Sequence, residues 1–281
     1  MNEQPQRQDL TILVNTCDAY HDVLSIFFHA LQDCWPDCPY PVVINTESRA
    51  YSHPARVHHY VRSGSLDDWG ARLLSTLQSI DSDYVLMLYD DFILDGYVSN
   101  QRVLQALNLL KSQAHSVVAY LIDTALPLSS TDADDVFIPI KDGTDYQLNS
   151  APGIWRTQAL MDYTAVGDTP WAWEVFGSYR TWRRGQIFYS LNPKETDIYP
   201  YNHAKGGAIY RGKWVREVVE QIACKYPLNI DWTQRGFSSE TEFEKRSFIW
   251  KLRFMQTGFR MVGFKALYFV ASYIREKLYA R

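Results

Sequence analysis

Two short apolar runs stop abruptly at residues bearing carboxylates and hydroxyls, and this constrains the fold more than any other feature of the chain. Leu10–Asn15 (LTILVN) leads straight into Thr16-Cys17-Asp18, and Tyr84–Leu88 (YVLML) leads into Tyr89-Asp90-Asp91. Continuous apolar runs of this length read as strands buried on both faces. Around them, Val23–Cys34 has the apolar spacing of a helix and Asp67–Ile80 that of an amphipathic helix with an acidic first turn. Val103–Ser112 is a further helix, and Tyr40–Asn45, His58–Val61 and Val117–Ile122 are further strands. This alternation predicts an α/β fold with a Rossmann-like, mostly parallel sheet flanked by helices on both faces. Such sheets bind ligands at the carboxyl ends of their strands. Thr16 to Asp18 and Asp90-Asp91 are therefore expected on one rim.

The chain has 281 residues, 46% of them hydrophobic, enough for a full core, and its 21% charged content excludes a disordered composition. Leu126–Leu148 is polar and turn-rich, predicting loops or a hairpin, and no repeat or linker interrupts the sequence. The expected organisation is one catalytic domain over residues 1–244 and a basic, aromatic C-terminal helical extension over 245–281. From Lys245 onward nine Lys and Arg stand against the single acid Glu276, a balance of +8, which leaves 19 bases against 31 acids, or −12, in the remainder. The two parts are expected to meet different surroundings. The acidic body argues against nucleic acid as a partner. Cys17, Cys34, Cys38 and Cys224 form neither a zinc set nor a disulfide framework. The polar start from Met1 to Asp9 and the lack of an apolar run of about 18 residues lead to the expectation of a cytoplasmic protein.

The paired carboxylates after the strand at Tyr84 supply hard oxygen ligands of the kind Mg²⁺ or Mn²⁺ takes together with phosphate oxygens. The plain alternative is a solvated acidic turn. Trp69-Gly70-x-Arg72-Leu73, then Asp83-Tyr84-Val85-Leu86 and Asp90-Asp91-Phe92, together resemble the bacterial GT-A glycosyltransferases that build surface polysaccharides such as lipopolysaccharide O-antigen or capsule. The resemblance spans roughly Leu10 to Trp214. In that superfamily an Asp-x-Asp element after a sheet strand binds the metal and the donor diphosphate. Here Tyr89 stands at the first position, so the division of labour between Asp91 (metal) and Asp90 (ribose or metal) stays open.

The resemblance further implies nucleotide contacts at Thr16 and Asp18, with a helix N-cap at Asp18 or Asp22 as the alternative. It implies a diphosphate contact from Arg72, whose alternative is an exposed helix arginine. The family's small-residue turn followed by an acidic residue corresponds to Ala151-Pro152-Gly153-Ile154-Trp155-Arg156 and then Glu174, flanked by Trp171 and Trp173. A carboxylate there can take the proton of an acceptor hydroxyl, and indole rings can stack on its sugar. The family's late histidine corresponds to His203, a third metal ligand. Lys205, Arg211 and Lys213 can balance phosphate charge around the Gly206-Gly207 turn. The implied activity is metal-dependent, inverting transfer of a sugar from a nucleoside-diphosphate sugar, UDP-sugar being the commonest, to a saccharide or lipid-linked acceptor.

Phe248 to Tyr279 mixes Phe, Trp and Tyr with Lys and Arg at helical spacing. Such a segment suits an anionic membrane surface, which would make the protein peripheral on the inner face of the cytoplasmic membrane. The alternative is packing on the protein's own acidic body. Two other functional classes compete with the transferase. A sugar nucleotidyltransferase would want a glycine-rich loop after the first strand, where this chain has Asn15-Thr16-Cys17-Asp18-Ala19-Tyr20. A non-catalytic carbohydrate- or membrane-binding protein on the same fold would have no need of Asp90, Asp91, Glu174 and His203 together.

Overall fold

A computed structural model describes residues 9–49, 51, 57–62, 68–130, 134–203, 205–226, 230–238 and 247–279. The sheet has eight strands in the order β3-β2-β1-β4-β7-β5-β8-β6. Its parallel strands are β1 (Leu10–Asn15), β2 (Val42–Thr46), β3 (Val57–Arg62) and β4 (Tyr84–Tyr89), and then β5 (Ser116–Tyr120) alongside β8 (Ile187–Leu191). Two strands run against their neighbours: β7 (Gly153–Arg156) between β4 and β5, and β6 (Phe137–Pro139) at the edge. Helices α1 (His21–Cys34), α2 (Trp69–Ser79), α3 (Asn100–Ser112), α4 (Thr157–Tyr163), α5 (Pro170–Val175) and α6 (Arg216–Lys225) accompany the sheet, with a small hairpin of β9 (Ile209–Tyr210) and β10 (Lys213–Trp214). The C-terminal extension is α7 (Phe248–Val262), a 3-10 turn, and α8 (Leu267–Tyr279). The layers are those expected: an α/β, mostly parallel sheet flanked by helices, with a C-terminal helical extension.

β1 and β4 are mostly apolar and buried along almost their whole length, as strands covered on both faces of the sheet are. The sheet is more mixed than expected, and the differences have physical reasons. Ala151–Arg156 was expected as a turn, yet Gly153 to Arg156 is a central strand that buries Trp155 completely. Four residues opening on Gly153, just after Pro152, carry too little periodicity to read as a strand, but a glycine suits the spot. A Cβ on Gly153 would sit 3.0 Å from the side chains of Tyr120 and Val118. The Asp67–Ile80 helix starts later than expected. Asp68 is its N-cap, accepting from the Ala71 N–H at 2.7 Å, so it caps the helix instead of forming an acidic first turn. Asp67 lies outside the described residues.

The reversed direction of β7 decides which residues reach the carboxyl rim. Its register against β4 runs Met87↔Gly153 to Tyr84↔Arg156, so the chain just before β7 emerges at the carboxyl rim of β4. Asn149 and Ser150 are thereby delivered to the rim that carries Asp90 and Asp91.

The extension packs on the body through a separate small core of Ala172, Val175, Phe176, Tyr179 and Ala266, joined by Phe254 and Phe269. Gly258 allows the closest approach, for a Cβ there would fall 2.5 Å from the Phe176 ring. The expected boundary between residues 244 and 245 lies outside the described residues, as do Lys245, Arg246 and Arg281. Among the described residues no helix is long and apolar enough to cross a membrane.

Candidate active site

The rim is built by strand ends in register. Asn15 of β1 pairs with Tyr89 of β4, so the next residues, Thr16 and Asp90, face each other, and the Thr16 hydroxyl donates to the Asp90 carboxylate. Behind them runs a line of buried amides. Asn45 Nδ2 donates to Asn15 Oδ1 at 2.9 Å, and Asn15 Nδ2 donates to the Leu88 carbonyl at 3.2 Å. These bonds tie β2, β1 and β4 together at their carboxyl ends.

Asp90 is buried, and burial together with the neighbouring Asp91 carboxylate holds its pKa well above the usual range, against the pull of Thr16 and Arg235. Asp91 is half-buried, and burial pushes its pKa up to about 7. Its surroundings leave little slack. The Ala208 N–H donates to its carbonyl at 2.9 Å, and a Cβ on Gly207 would fall 2.8 Å from both that carbonyl and Oδ2. Gly207 has φ +151°, which glycine alone adopts readily.

A cleft of about 460 Å³ opens beside these strand ends. Asp91, Glu174 and His203 all border it, joined by Ser150, Trp171 and Tyr201. Glu174 is placed by α5, which starts at a Thr169 N-cap with Pro170 in the first turn. The turn into α5 is fixed by Asp168, which takes Arg180 in a two-pronged pair at 2.5 and 2.7 Å. Glu174 Oε1 accepts from the Ser150 N–H at 2.7 Å, while burial raises the carboxyl above its ordinary pKa. Trp171 lies three residues before Glu174 on the same helical face. Trp173 differs from expectation. It is fully buried, with its indole N–H on the Tyr163 carbonyl at 3.2 Å, so only Trp171 of the two tryptophans meets the cleft.

His203 is on the cleft wall, its ring 5.5 Å from that of Tyr201 and its Nε2 3.6 Å from Asp197 Oδ2. Among the described residues no group of three or more His, Cys, Asp or Glu side chains is close enough to hold a metal ion. Asp90, Asp91 and His203 thus do not form a ready-made three-ligand cage. The two adjacent carboxylates remain; burial raises both pKa values, with the Asp91 charge adding to the shift of Asp90, and a divalent cation would favour their ionised forms. That donor set suits an ion completing its shell with phosphate oxygens.

The remaining expected residues do not line the cleft. Asp18 caps no helix. Its carboxylate accepts the backbone N–H groups of Ser48 and Arg49 at 3.0 and 2.9 Å, while α1 has Tyr20 as N-cap without a side-chain bond. Asp22 is likewise not a cap but the partner of Arg235, at 2.7 Å from Nε. Arg72 is not the exposed arginine of the alternative reading. It is buried and pairs with Glu47 Oε1 at 3.3 Å, and Glu47 Oε2 in turn accepts from the Asp18 N–H at 2.9 Å. Lys205, Arg211 and Lys213 are not among the residues lining the cleft. Arg211 sits with Gly212 in the two-residue turn of the β9–β10 hairpin, both at positive φ, with its guanidinium 5.2 Å from the Tyr210 ring. Ala204 lies outside the described residues.

Arg235 is a cation the sequence did not single out. It packs over the Tyr20 ring at 4.6 Å and acts electrostatically on Asp90 from a loop near the end of the body. Nothing local distinguishes it from other arginines. Burial and Asp90 push the thiol of Cys17, beside the same carboxylates, up to about 11, which disfavours its thiolate.

Sheet and cleft together define an α/β protein with a mostly parallel sheet and an acidic cleft at its carboxyl rim. No family model and no curated protein matches the chain. Solved structures that resemble it include residues 1–349 of TarS from S. aureus in complex with UDP, at 12% identity over 91% of this chain and 83% of that one, with a TM-score of 0.49. A cytidylyltransferase from Leptospira borgpetersenii resembles it at 14% identity over 69% of this chain and 79% of that one, with a TM-score of 0.40. The galactosyltransferase LgtC, in complex with donor and acceptor sugar analogues, does so at 15% identity over 54% of this chain and 59% of that one, with a TM-score of 0.33.

Proposed function

We propose that the protein is a metal-dependent glycosyltransferase that moves a sugar from a nucleoside-diphosphate sugar, UDP-sugar first among them, to a saccharide or lipid-linked acceptor in bacterial surface polysaccharide synthesis. One observation carries this reading. Asp91, Glu174 and His203, far apart in sequence, converge on one cleft at the carboxyl rim of the sheet. A non-catalytic binder has no use for a desolvated carboxylate opposite a second acidic centre.

In this reading Asp91, with its neighbour Asp90, would hold Mg²⁺ or Mn²⁺, and His203 borders the same cleft. When bound, the ion supplies positive charge to the leaving diphosphate. The chain's own residues do the rest. Glu174, oriented by the Ser150 N–H and raised in pKa by burial, accepts the proton of the acceptor hydroxyl as that oxygen attacks the anomeric carbon. Attack from the face opposite the departing diphosphate inverts the configuration. Trp171 offers its ring to the acceptor. The extension, with Lys251, Arg253, Arg260 and Lys265 among exposed apolar side chains, would hold the protein peripherally on an anionic membrane.

Calorimetric titration with UDP, with and without Mn²⁺, on the native protein and on Asp91→Ala tests the reading. Metal-dependent binding lost in Asp91→Ala supports it. If UDP, GDP, CMP and dTDP all fail to bind with metal present, the reading falls.

A further inference from the structure

A second space adjoins the cleft. Between α7 and α8 lies a groove of about 370 Å³, walled by Trp171, Trp250, Phe254, Phe269, Val270 and Tyr273, with Lys251 as its one charged lining residue. Its volume falls within the range of small-molecule sites, roughly 300–1,000 Å³. Trp171 borders both this groove and the cleft that contains Glu174. The ring is held at that boundary by parallel stacking on Trp250 at 4.8 Å and on Phe254 at 4.5 Å. Glu174 is one turn further along the same helix, so the apolar groove ends where the proton acceptor begins.

The apolar surface around the groove is concentrated. Of the fifteen large hydrophobic side chains exposed among the described residues, ten lie between Phe248 and Ile274, with Phe264 at 86%. Single exposed apolar residues need no explanation, but ten on one pair of helices and the turn between them, with Val270 and Tyr273 lining the groove itself, suit a binding surface. Lys251, Arg253, Arg260, Lys265 and Arg275 are interspersed with them. Two such faces brought together would set like charges against each other, which disfavours a second copy as the occupant. An anionic amphiphile satisfies both the apolar groove and its basic surroundings.

We propose that the groove binds the hydrocarbon chain of an anionic, lipid-linked acceptor and that Trp171 is the junction where the chain ends and the acceptor's polar head enters the cleft. The proposal rests on the transferase reading of the cleft and names the acceptor's class: an amphiphile recognised by its chain as well as by its sugar.

The probe is 11-bromoundecyl phosphate below its micelle concentration, whose bromine quenches tryptophan on contact. Saturable quenching of the native protein is expected, reversed by unbrominated dodecyl phosphate and not by inorganic phosphate. The quenched signal should shrink in Trp171→Phe and in Trp250→Phe. Val270→Arg, which puts a bulky charge on the groove wall, should weaken binding by about tenfold or more, whereas Phe264→Ser, off the groove, should not. UDP and Mn²⁺ are titrated in parallel. UDP binding without saturable quenching overturns the groove and leaves the transferase reading standing. Quenching without binding of any nucleotide keeps the groove as a chain site and removes the acceptor role. Quenching that appears only with micelles, or a concentration-dependent dimer abolished by Val270→Arg, also overturns the proposal.

Discussion

The Thr16 hydroxyl donates to the Asp90 carboxylate across the carboxyl ends of β1 and β4. This bond joins two strand ends and satisfies an acidic side chain that is 2% exposed. Removing the donor leaves a buried carboxyl without that partner, so Thr16→Val should destabilise the fold by about 1–3 kcal/mol. Thr16→Ser, which keeps the hydroxyl, should recover most of the loss. Urea unfolding of the three proteins checks this, with a change in midpoint at constant slope as the expected form.

Glu174 separates stability from activity. Burial raises its pKa, so the folded state favours the protonated acid. The stability this group contributes is therefore full below its unfolded pKa and is lost as pH rises through the raised folded value. Glu174→Gln mimics the protonated form and keeps an oxygen for the Ser150 N–H. It should be more stable than the native protein at pH 7 and converge with it as the pH approaches 4. Sugar transfer, if Glu174 is the base, should fall by about 10²- to 10⁴-fold. Melting temperatures measured from pH 4 to 8, beside transfer rates, test both halves.

Those parts of the fold and of the candidate site whose signal is local were legible in the sequence. Leu10–Asn15 reads as a strand because every side chain in it is buried, and Asp90-Asp91, Glu174 and His203 stand out because their side chains carry their own chemistry. β7 did not, since four residues beginning at Gly153 become a strand only when β4 and β5 close on either side. Ser150 and Arg235 were equally silent. Ser150 matters through its backbone N–H, and Arg235 through the charge it brings to Asp90 from a distant loop. Trp173 shows the converse error. It shares its sequence neighbourhood with Trp171, but the helix turns it into the core.

Gly207 is the tightest point of the site. An added Cβ would meet the Asp91 carbonyl and Oδ2 at 2.8 Å, and the backbone there has φ +151°. Gly207→Ala should displace Asp91 and cost more than about 1 kcal/mol in stability. Metal-dependent UDP binding should weaken at the same time. Gly206→Ala, at a positive φ of +92° but with nothing within 4 Å of its Cβ, carries the backbone strain without the clash. Calorimetry on the two variants should find the larger loss of affinity at Gly207.

The seat of the C-terminal extension depends on Gly258 lying against Phe176, where a Cβ would stand only 2.5 Å from the ring. Phe176 also meets Phe254 and Phe269 at centroid distances of 4.8 and 5.6 Å, so one ring links α7 and α8 to the end of α5. Gly258→Ala overpacks this contact and should cost about 1–3 kcal/mol, and the cost should be local, because the small core under the extension is separate from the main one. Hydrogen exchange should accelerate across residues 248–279 and at the α5 end, while β1 and β4 keep their protection. Since α5 also carries Trp171 and Glu174, the same variant should weaken acceptor use more than UDP binding. A uniform loss of protection across the sheet would mean that the extension is part of the main cooperative unit.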